Sequence, residues 1–389
     1  MREALEGSQA IARAVALARP DVVAAYPITP QTHIVENISK LVADGSLHTE
    51  FVSVESEFSA ASVVLGAAAA GARAYTASAS QGILLMSEVM YNIAGLRVPL
   101  VMTIANRAVG GPLNIWNDQS DAMAVRDSGW IQLHCMSNQE AVDTTIQAFR
   151  LAEETELPVA VNMDGFVLTH TMEVIDMPTQ ADVDRFLPPF KFDRKLDPAK
   201  PASLGTLVDP NWFPEVRHSH HAAMGRALAK IEEIDKDFAR VFGRASGGLL
   251  SVEGDSKARV AILAMGSVVG TLLAGFEEYP DMPARIVKLR AHRPFPAKAL
   301  RKALKGCEKV IVIDRAISPG MGGVIGTEVS AVLSTMAKAP KVYNYALGLG
   351  GRDIPVSMYA DLLRAVEKPK APRFAVFDVD LRKLPPEDR

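Results

Sequence analysis

Cysteine is almost missing from this chain of 389 residues, which holds only Cys135 and Cys307. The two are far apart and form no Cys-x-x-Cys pair, so the chain alone can hold neither an iron–sulfur cluster nor a thiolate zinc site. Two buried, reduced thiols in a cytoplasmic protein are expected. An excess of charge is missing as well. Lys and Arg number 42 against 45 Asp and Glu, for a formal net charge of −3, and no basic run is long enough to follow a phosphate backbone. Nucleic acid is therefore not an expected partner. The longest uncharged runs, 58–72 and 74–87, are rich in Gly, Ala and Ser and fall short of the roughly 20 apolar residues that a bilayer span requires. The opening MREALEGSQAIARAVALARP carries acids early and no apolar core before a cleavage site, so no signal peptide is expected. No P-loop and no dinucleotide fingerprint occurs. The Gly-rich stretches SPGMGGVIG (318–326) and GLGGRD (348–353) read as tight turns needing φ > 0 rather than phosphate cradles.

What the chain does have is alternation. Hydrophobic residues make up 48% and charged residues 22%, the balance of a globular protein, and the length suits two or three domains. Short β-branched runs (DVVAA, FVSVESE, ARAYTAS, PLVMTIAN, WIQLHCMS, LPVAVNMDG) alternate with Ala-rich amphipathic stretches such as SQAIARAVALARP and NQEAVDTTIQAFRLAEETE. This pattern predicts an α/β fold with a parallel sheet and crossover helices over 1–171. From Met172 the periodicity fails and prolines scatter, so 172–257 reads as a connecting segment that ends in a charged helix beginning near His221. A second parallel-sheet α/β unit is expected over 258–389, from the runs VAILAMGS, RIVKLRAHR, KVIVIDRA, KVYNYALG and FAVFDVD.

Ligands of parallel sheets bind where the carboxyl ends of the strands face a crevice. In the first unit those ends carry YPITPQT, ESE, SASQG and NRAVGGPLNIWNDQSD. Each candidate there has a plain structural alternative. Glu57 suits the first turn of a helix on dipole grounds alone, with Ser56 as its cap. Arg107 is either an ion-paired arginine or a bidentate clamp for a carboxylate. Thr29 could serve only its own turn between two prolines. Asp118 and Asp121 could bind a hard cation, although turn chemistry explains them equally well. The His-rich HSHH at 218–221 lacks acidic neighbours, and no metal site is assigned to this chain.

Taken in order, YPITP (26–30), SE with a small-residue helix (56–71), SQGILLM (80–86), NRAVGGPLNIWNDQSD (106–121), DGF (164–166), RPFP (293–296), DR (314–315) and GLGGRD (348–353) resemble the α subunit of the 2-oxoacid:ferredoxin oxidoreductases. This is the pyruvate:ferredoxin oxidoreductase family of thiamine diphosphate enzymes. The resemblance implies a pyrimidine-binding-type domain followed by a transketolase C-terminal-like domain. It implies that Glu57 shares a proton with the pyrimidine ring of the cofactor, with Tyr26, Pro27 and Ile28 beside it. It implies that Arg107 holds the carboxylate of a 2-oxoacid and that Thr29 offers a hydroxyl next to the reacting carbon. Glu55, one strand alternation away, is the natural control.

The same resemblance accounts for what is missing. The Gly-Asp-Gly motif that holds diphosphate and Mg²⁺ in such enzymes is absent, EGDSKA (253–258) having the wrong continuation. In the family a β subunit carries that site and a [4Fe-4S] cluster, and γ and ferredoxin-like subunits carry the rest. The implied activity is CoA-dependent oxidative decarboxylation of a 2-oxoacid to acyl-CoA and CO₂. Gly110, Gly111 and Gln119 depart from the pattern of pyruvate-specific relatives, which leaves pyruvate and an aryl 2-oxoacid such as phenylglyoxylate both open. Two further accounts also stay open: a transketolase- or decarboxylase-type subunit, and a non-catalytic assembly scaffold.

Overall fold

Apolar strands followed by Ala-rich helices build two parallel sheets in succession. They are seen in a computed structural model that describes residues 2–389. The first unit runs β1 (Arg2–Glu6), α1 (Gly7–Ala18), β2 (Val22–Ala25), α2 (Thr32–Ala43), β3 (Glu50–Ser53), α3 (Glu57–Ala69), β4 (Ala74–Ser78), α4 (Ser80–Leu85) and α5 (Ser87–Gly95). It continues through β5 (Val101–Asn106), α6 (Ser120–Ala124), β6 (Ile131–His134), α7 (Asn138–Thr155) and β7 (Val159–Asp164). A connecting stretch holds β8 (Met172–Asp176), α8 (Gln180–Phe186) and α9 (Phe213–Phe242). The second unit is β9 (Leu250–Gly254), β10 (Val260–Ala264), α10 (Val268–Glu278), β11 (Arg285–Leu289), β12 (Ala291–Arg293), α11 (Ala297–Ala303) and β13 (Lys309–Asp314). After these come β14 (Ile317–Ser318), β15 (Gly322–Gly323), α12 (Val324–Leu333), β16 (Lys341–Ala346), α13 (Met358–Glu367) and β17 (Phe374–Val376).

The first sheet has the order β12-β6-β7-β5-β4-β2-β3 and the second β17-β16-β13-β10-β11-β9. Every pairing is parallel except β12 on β6 and β9 on β11. Central strands such as β4, β5 and β7 are buried throughout, because helices cover both faces, as parallel sheets require. The α/β expectation holds. One face of the first sheet packs Ile11, Val15 and Phe149 of α1 and α7, and the other packs Ala60, Ala61, Val64 and Ala68 of α3. Small side chains bring α3 close against the sheet.

Three features were not visible in the sequence pattern. β1 pairs antiparallel with β8, tying the start of the connecting stretch to the first unit. β9, inside the stretch read as connecting, is an edge strand of the second sheet. The charged helix begins at Phe213, not near His221, so the His218–His221 run is helical. Pro214 in its first turn needs no hydrogen-bonded N–H there, which explains why the proline opens the helix instead of breaking it. Among the described residues no helix is long and apolar enough to cross a membrane.

The two units are joined through charge as well as through β12. Asp164, at the end of β7, accepts from Arg315 Nη1 at 2.9 Å and from the Ser267 N–H at 2.8 Å, and both charged side chains are buried. Burial pushes the Asp164 carboxyl up, but Arg315 and Ser267 outweigh it and hold the group below its usual range. Nearby, Glu328 of α12 accepts from Arg293 Nη1 at 2.9 Å and faces His292 Nε2 at 3.0 Å. Burial raises its carboxyl, yet Arg293 and His292 bring it down to about 2.

Replacing Arg315 by Met leaves Asp164 buried without its cation, and we expect a loss of about 3–5 kcal/mol, read as a lower chemical-denaturation midpoint. Adding Asp164→Asn should restore part of that loss. Glu328, whose folded-state pKa is depressed, contributes stability that is fully present above its ordinary value of 4.5 and is lost as pH falls toward about 2. Denaturation of Glu328→Gln between pH 5 and pH 2 should therefore show a flatter acid dependence than that of the parent chain. Parallel curves would refute this assignment.

Candidate active site

Four strand ends meet at the carboxyl edge of the first sheet. After β2 the chain turns through Tyr26 and Pro27, both exposed, half-buried Ile28 and exposed Thr29. Gln31 fixes this turn from beneath: it is fully buried, its Nε2 donates to the Ala77 carbonyl at 2.7 Å, and its Oε1 accepts from the Ile28 N–H at 3.2 Å.

Helix α3 starts with Ser56, whose Oγ accepts from the Ser59 N–H at 3.2 Å as an N-cap. Glu57 is the next residue and is only 7% exposed. Among the described residues its carboxylate has no hydrogen-bond or ion-pair partner. Gly82 of α4 lies directly against it: a Cβ there would stand 2.4 Å from Ser78 Oγ and 2.7 Å from Glu57 Oε1. Ser78 is fully buried and its hydroxyl is itself unpartnered. Glu55 behaves differently. It is exposed, it accepts from Ser59 Oγ at 2.6 Å, and that bond holds its carboxyl below the usual range.

Arg107 follows β5 and is 7% exposed. Its Nη1 donates to the Thr29 carbonyl at 2.9 Å and its Nε to the Asn114 carbonyl at 3.2 Å. No carboxylate among the described residues forms an ion pair with it. Burial lowers its pKa, against a smaller opposing pull from Asp121. The structure thus joins Thr29 and Arg107 directly, whereas Glu57 reaches them only through the turn that follows β4.

That turn is organised by Asp121, which the sequence suggested only as a cation ligand or a turn residue. Its carboxylate accepts from the backbone N–H groups of Ser80 (2.9 Å), Arg107 (3.0 Å) and Ala122 (2.7 Å) and from Asn106 Nδ2 (2.9 Å). Burial raises it to about 6, with these bonds pulling the other way. Ser80, held at a φ of 50°, also donates from Oγ to the Ala108 carbonyl at 2.5 Å. Asp118 accepts from the Ser120 N–H at 2.9 Å. Asp118 serves its own turn and Asp121 joins the ends of β4 and β5 to α6, and neither is grouped with other potential metal-binding side chains among the described residues.

The other candidates resolve as follows. His220 is buried with Nε2 3.3 Å from the Gly129 carbonyl, while His218 and His221 are exposed. Glu6, His33 and His170 are the one group among the described residues that brings three potential metal-binding atoms within 4.8 Å of one another. His33 Nδ1 and Glu6 Oε1 stand 2.7 Å apart, closer than the roughly 3.3 Å between donors on a shared tetrahedral zinc. The two atoms form a hydrogen bond. The glycine-rich turns behave as the sequence suggested, with positive φ at Gly320, Gly322, Gly348, Gly350 and Gly351. Asp314 accepts from the Ile325 and Gly326 N–H groups at 2.8 and 2.9 Å, so the start of α12 is already occupied. A cavity of about 1000 Å³ lies at the amino edge of the second sheet beside Lys309 and Lys341, and Glu57, Thr29 and Arg107 do not line it.

Comparison with known proteins bears on the family and the fold. Residues 13–236 match the family described as pyruvate flavodoxin/ferredoxin oxidoreductase, thiamine diphosphate-binding. Residues 258–358 match pyruvate:ferredoxin oxidoreductase core domain II. The chain is 45% identical to pyruvate synthase subunit PorA of Methanothermobacter thermautotrophicus over 94% of its own length and 95% of that protein's. It is 36% identical to ketoisovalerate oxidoreductase subunit VorA of Pyrococcus abyssi, covering 96% of each chain. In fold it is similar to the 2-oxoglutarate:ferredoxin oxidoreductase of Magnetococcus marinus, with a TM-score of 0.70 at 21% identity, over 93% of this chain and 65% of that one. A split-gene transketolase aligns with a TM-score of 0.53 at 14% identity, over 95% of this chain and 98% of that one. The chain therefore belongs to the pyruvate flavodoxin/ferredoxin oxidoreductase family and corresponds to its alpha subunit.

Proposed function

We propose that this chain is the catalytic alpha subunit of a CoA-acylating pyruvate oxidoreductase in the cytoplasm. In this reading it holds the pyrimidine end of thiamine diphosphate. A β subunit supplies the diphosphate and Mg²⁺ site together with a [4Fe-4S] cluster, and γ and ferredoxin-like subunits complete the complex. The observation that carries the reading is Glu57. An unpaired carboxylate at this depth is costly to bury, so its partner comes from outside the chain. A pyrimidine ring nitrogen, which can share a proton with it, has the right chemistry. The unpartnered Ser78 hydroxyl, and a glycine at the one position where a Cβ would fill the space beside both, fit the same ring.

The division of the cofactor between two polypeptides rests on donor counting. Asp118, Asp121 and Asp164 are all engaged within the chain, and in this reading Glu57 is taken by the pyrimidine, so Mg²⁺ is assigned to the β subunit. When bound, thiamine diphosphate supplies a carbon nucleophile for the substrate carbonyl and takes up the electrons left by loss of CO₂. The protein's part is protonation and orientation. Glu57 holds the shared proton. Arg107, with two of its five N–H groups committed to the Thr29 and Asn114 carbonyls, keeps three for the substrate carboxylate. Its burial away from water strengthens that contact. Thr29, exposed on the turn after β2, offers its hydroxyl beside the carbonyl.

Pyruvate is preferred over an aryl 2-oxoacid for two structural reasons. The space that a side chain at Gly110 would take is filled by Gln81, whose Nε2 lies 2.1 Å from the position of a Cβ. Gln119 is buried and turned toward Asp164 at 3.4 Å. Both positions are thus filled from within the chain, and the open space lies at Gly111, where a Cβ would meet nothing within 4 Å. The similar relatives named pyruvate synthase support the same choice.

The test is made on the assembled complex. Glu57→Gln should lower pyruvate turnover with CoA and an artificial acceptor by about 10²–10⁴-fold, while the chain still co-purifies with an iron–sulfur polypeptide. Glu55→Gln should change turnover less than about twofold, as expected for an exposed surface charge. Full activity in Glu57→Gln would sink the reading and favour a scaffold. Turnover without any iron–sulfur partner would favour a decarboxylase-type subunit, and a higher kcat/KM for phenylglyoxylate than for pyruvate would overturn the substrate choice.

A further inference from the structure

The loop between β5 and α6 closes on itself, with the Ala108 N–H donating to the Trp116 carbonyl at 3.0 Å. At its centre stands Asn114, which makes three bonds in three directions. Its carbonyl accepts from Arg107 Nε at 3.2 Å, its Oδ1 accepts from the Trp116 N–H at 2.8 Å, and its Nδ2 donates to the Gly350 carbonyl at 3.1 Å. The last bond crosses to the second unit. Gly350 has a φ of 59° and Gly351 a φ of 81°, values that only glycine adopts without strain. A Cβ on Gly350 would lie 2.5 Å from Asn114 Nδ2, and one on Gly351 would lie 2.4 Å from the Cβ of Trp116. The turn is anchored in turn by Arg315 Nη2, which donates to the Gly348 carbonyl at 3.3 Å, and by Asp378, which accepts from the Gly348 N–H at 2.8 Å.

We propose that Asn114 is a positioning residue that lets the Gly348–Gly351 turn of the second unit set the orientation of the Arg107 guanidinium, and with it the affinity for the substrate carboxylate. The inference rests on the reading of Arg107 given above. Thr29 and Asn114, both of the first unit, each fix one nitrogen of the guanidinium, and the second unit bears on the fork through the Gly350 carbonyl that holds the Asn114 side chain. Nη2 has no hydrogen-bond partner in that frame among the described residues and, in this reading, is kept for the ligand. Loss of the Asn114 side chain leaves its carbonyl in place but frees it from both side-chain anchors. The fork then loses direction, not charge.

The experiment is a double-mutant cycle in the assembled complex, with KM for pyruvate, KM for CoA and kcat measured for the parent, Arg107→Ala, Asn114→Ala and the pair. Asn114→Ala should raise KM for pyruvate about tenfold, on the order of the neutral side-chain hydrogen bonds to Gly350 and Trp116 that it removes, with kcat within about twofold and KM for CoA unchanged. Because Asn114 acts through Arg107, its replacement should have no further effect once Arg107 is Ala. Gly350→Ala, which crowds Asn114 Nδ2, should reproduce the KM effect. If that variant does not assemble, the Asn114 cycle decides alone. An unchanged pyruvate KM in Asn114→Ala, or an equal rise in the Arg107→Ala background, overturns the inference. An unchanged KM in Arg107→Ala itself would instead refute the role given to Arg107.

Discussion

The ion pair between Asp164 and Arg315 fixes how the two sheets face one another, and the rest of the site inherits its geometry from that contact. Asp164 ends β7 and Arg315 follows β13, so the pair joins the carboxyl edge of one sheet to the carboxyl edge of the other. Arg315 does more than neutralise a charge. Its carbonyl accepts from the Gln119 N–H at 2.7 Å and its Nη2 donates to the Gly348 carbonyl, holding the loop after β5 and the glycine turn after β16 in one frame. Such a pair is worth little as a source of net stability, since desolvation offsets most of the attraction. Its effect is to make other arrangements worse: any rotation of the units strands a buried charge.

Around that frame the carboxylates are committed, while Arg315 Nε, Asn106 Oδ1 and Asn117 Oδ1 are buried without partners. Asp121 takes four donors, three of them backbone N–H groups of segments that would otherwise end in unsatisfied turns. This arrangement holds Ser80 at a φ of 50°, a strain that persists only where neighbours over-determine it. Close packing removes the remaining slack. Gly165 could not carry a side chain, because a Cβ would sit 2.4 Å from the Asn106 carbonyl and 2.7 Å from Pro30. Against this background Glu57 stands apart as a buried carboxylate with no partner among the described residues, and Arg107 as a buried guanidinium bonded there only to carbonyls.

How much of this was legible in the sequence depended on the range of the interaction. Strands and helices of the two units announced themselves through periodicity, because a parallel sheet covered on both faces demands continuous apolar runs. The exposure of Glu55 and the burial of Glu57 follow from local structure alone: one side chain leaves the strand for solvent, and the other enters the first turn of a helix laid against the sheet. β1, β8 and β9 escaped notice because short edge strands with one wet face, such as Arg2–Glu6, carry mixed polarity that resembles a loop. Asp121, Asn114 and Arg315 could be seen as residues but not as a network. Asn114 and Gly350 are 236 positions apart, and no local pattern encodes a contact of that separation. The only sequence signal was indirect, namely that both lie in stretches resembling the family's motifs.

The edge that carries the site is also poorly covered. Phe58 is 39% exposed beside Glu57, Leu85 is 51% exposed on the helix that supplies Gly82, and Trp116 is 52% exposed on the loop that holds Arg107. Single exposed apolar side chains are ordinary. Here they flank Glu57, which has no partner among the described residues, and Arg107, which has no ion-pair partner among them, and the two facts have one explanation. A polypeptide that buried these apolar side chains would lower the dielectric around Glu57 and Arg107 and so strengthen both polar contacts. Protein of the same fold that folded alone would gain nothing from leaving either group unpaired. In the proposed reading, assembly and catalysis are therefore a single requirement: the surface that needs a partner for burial is the surface whose charges need a dry environment to act.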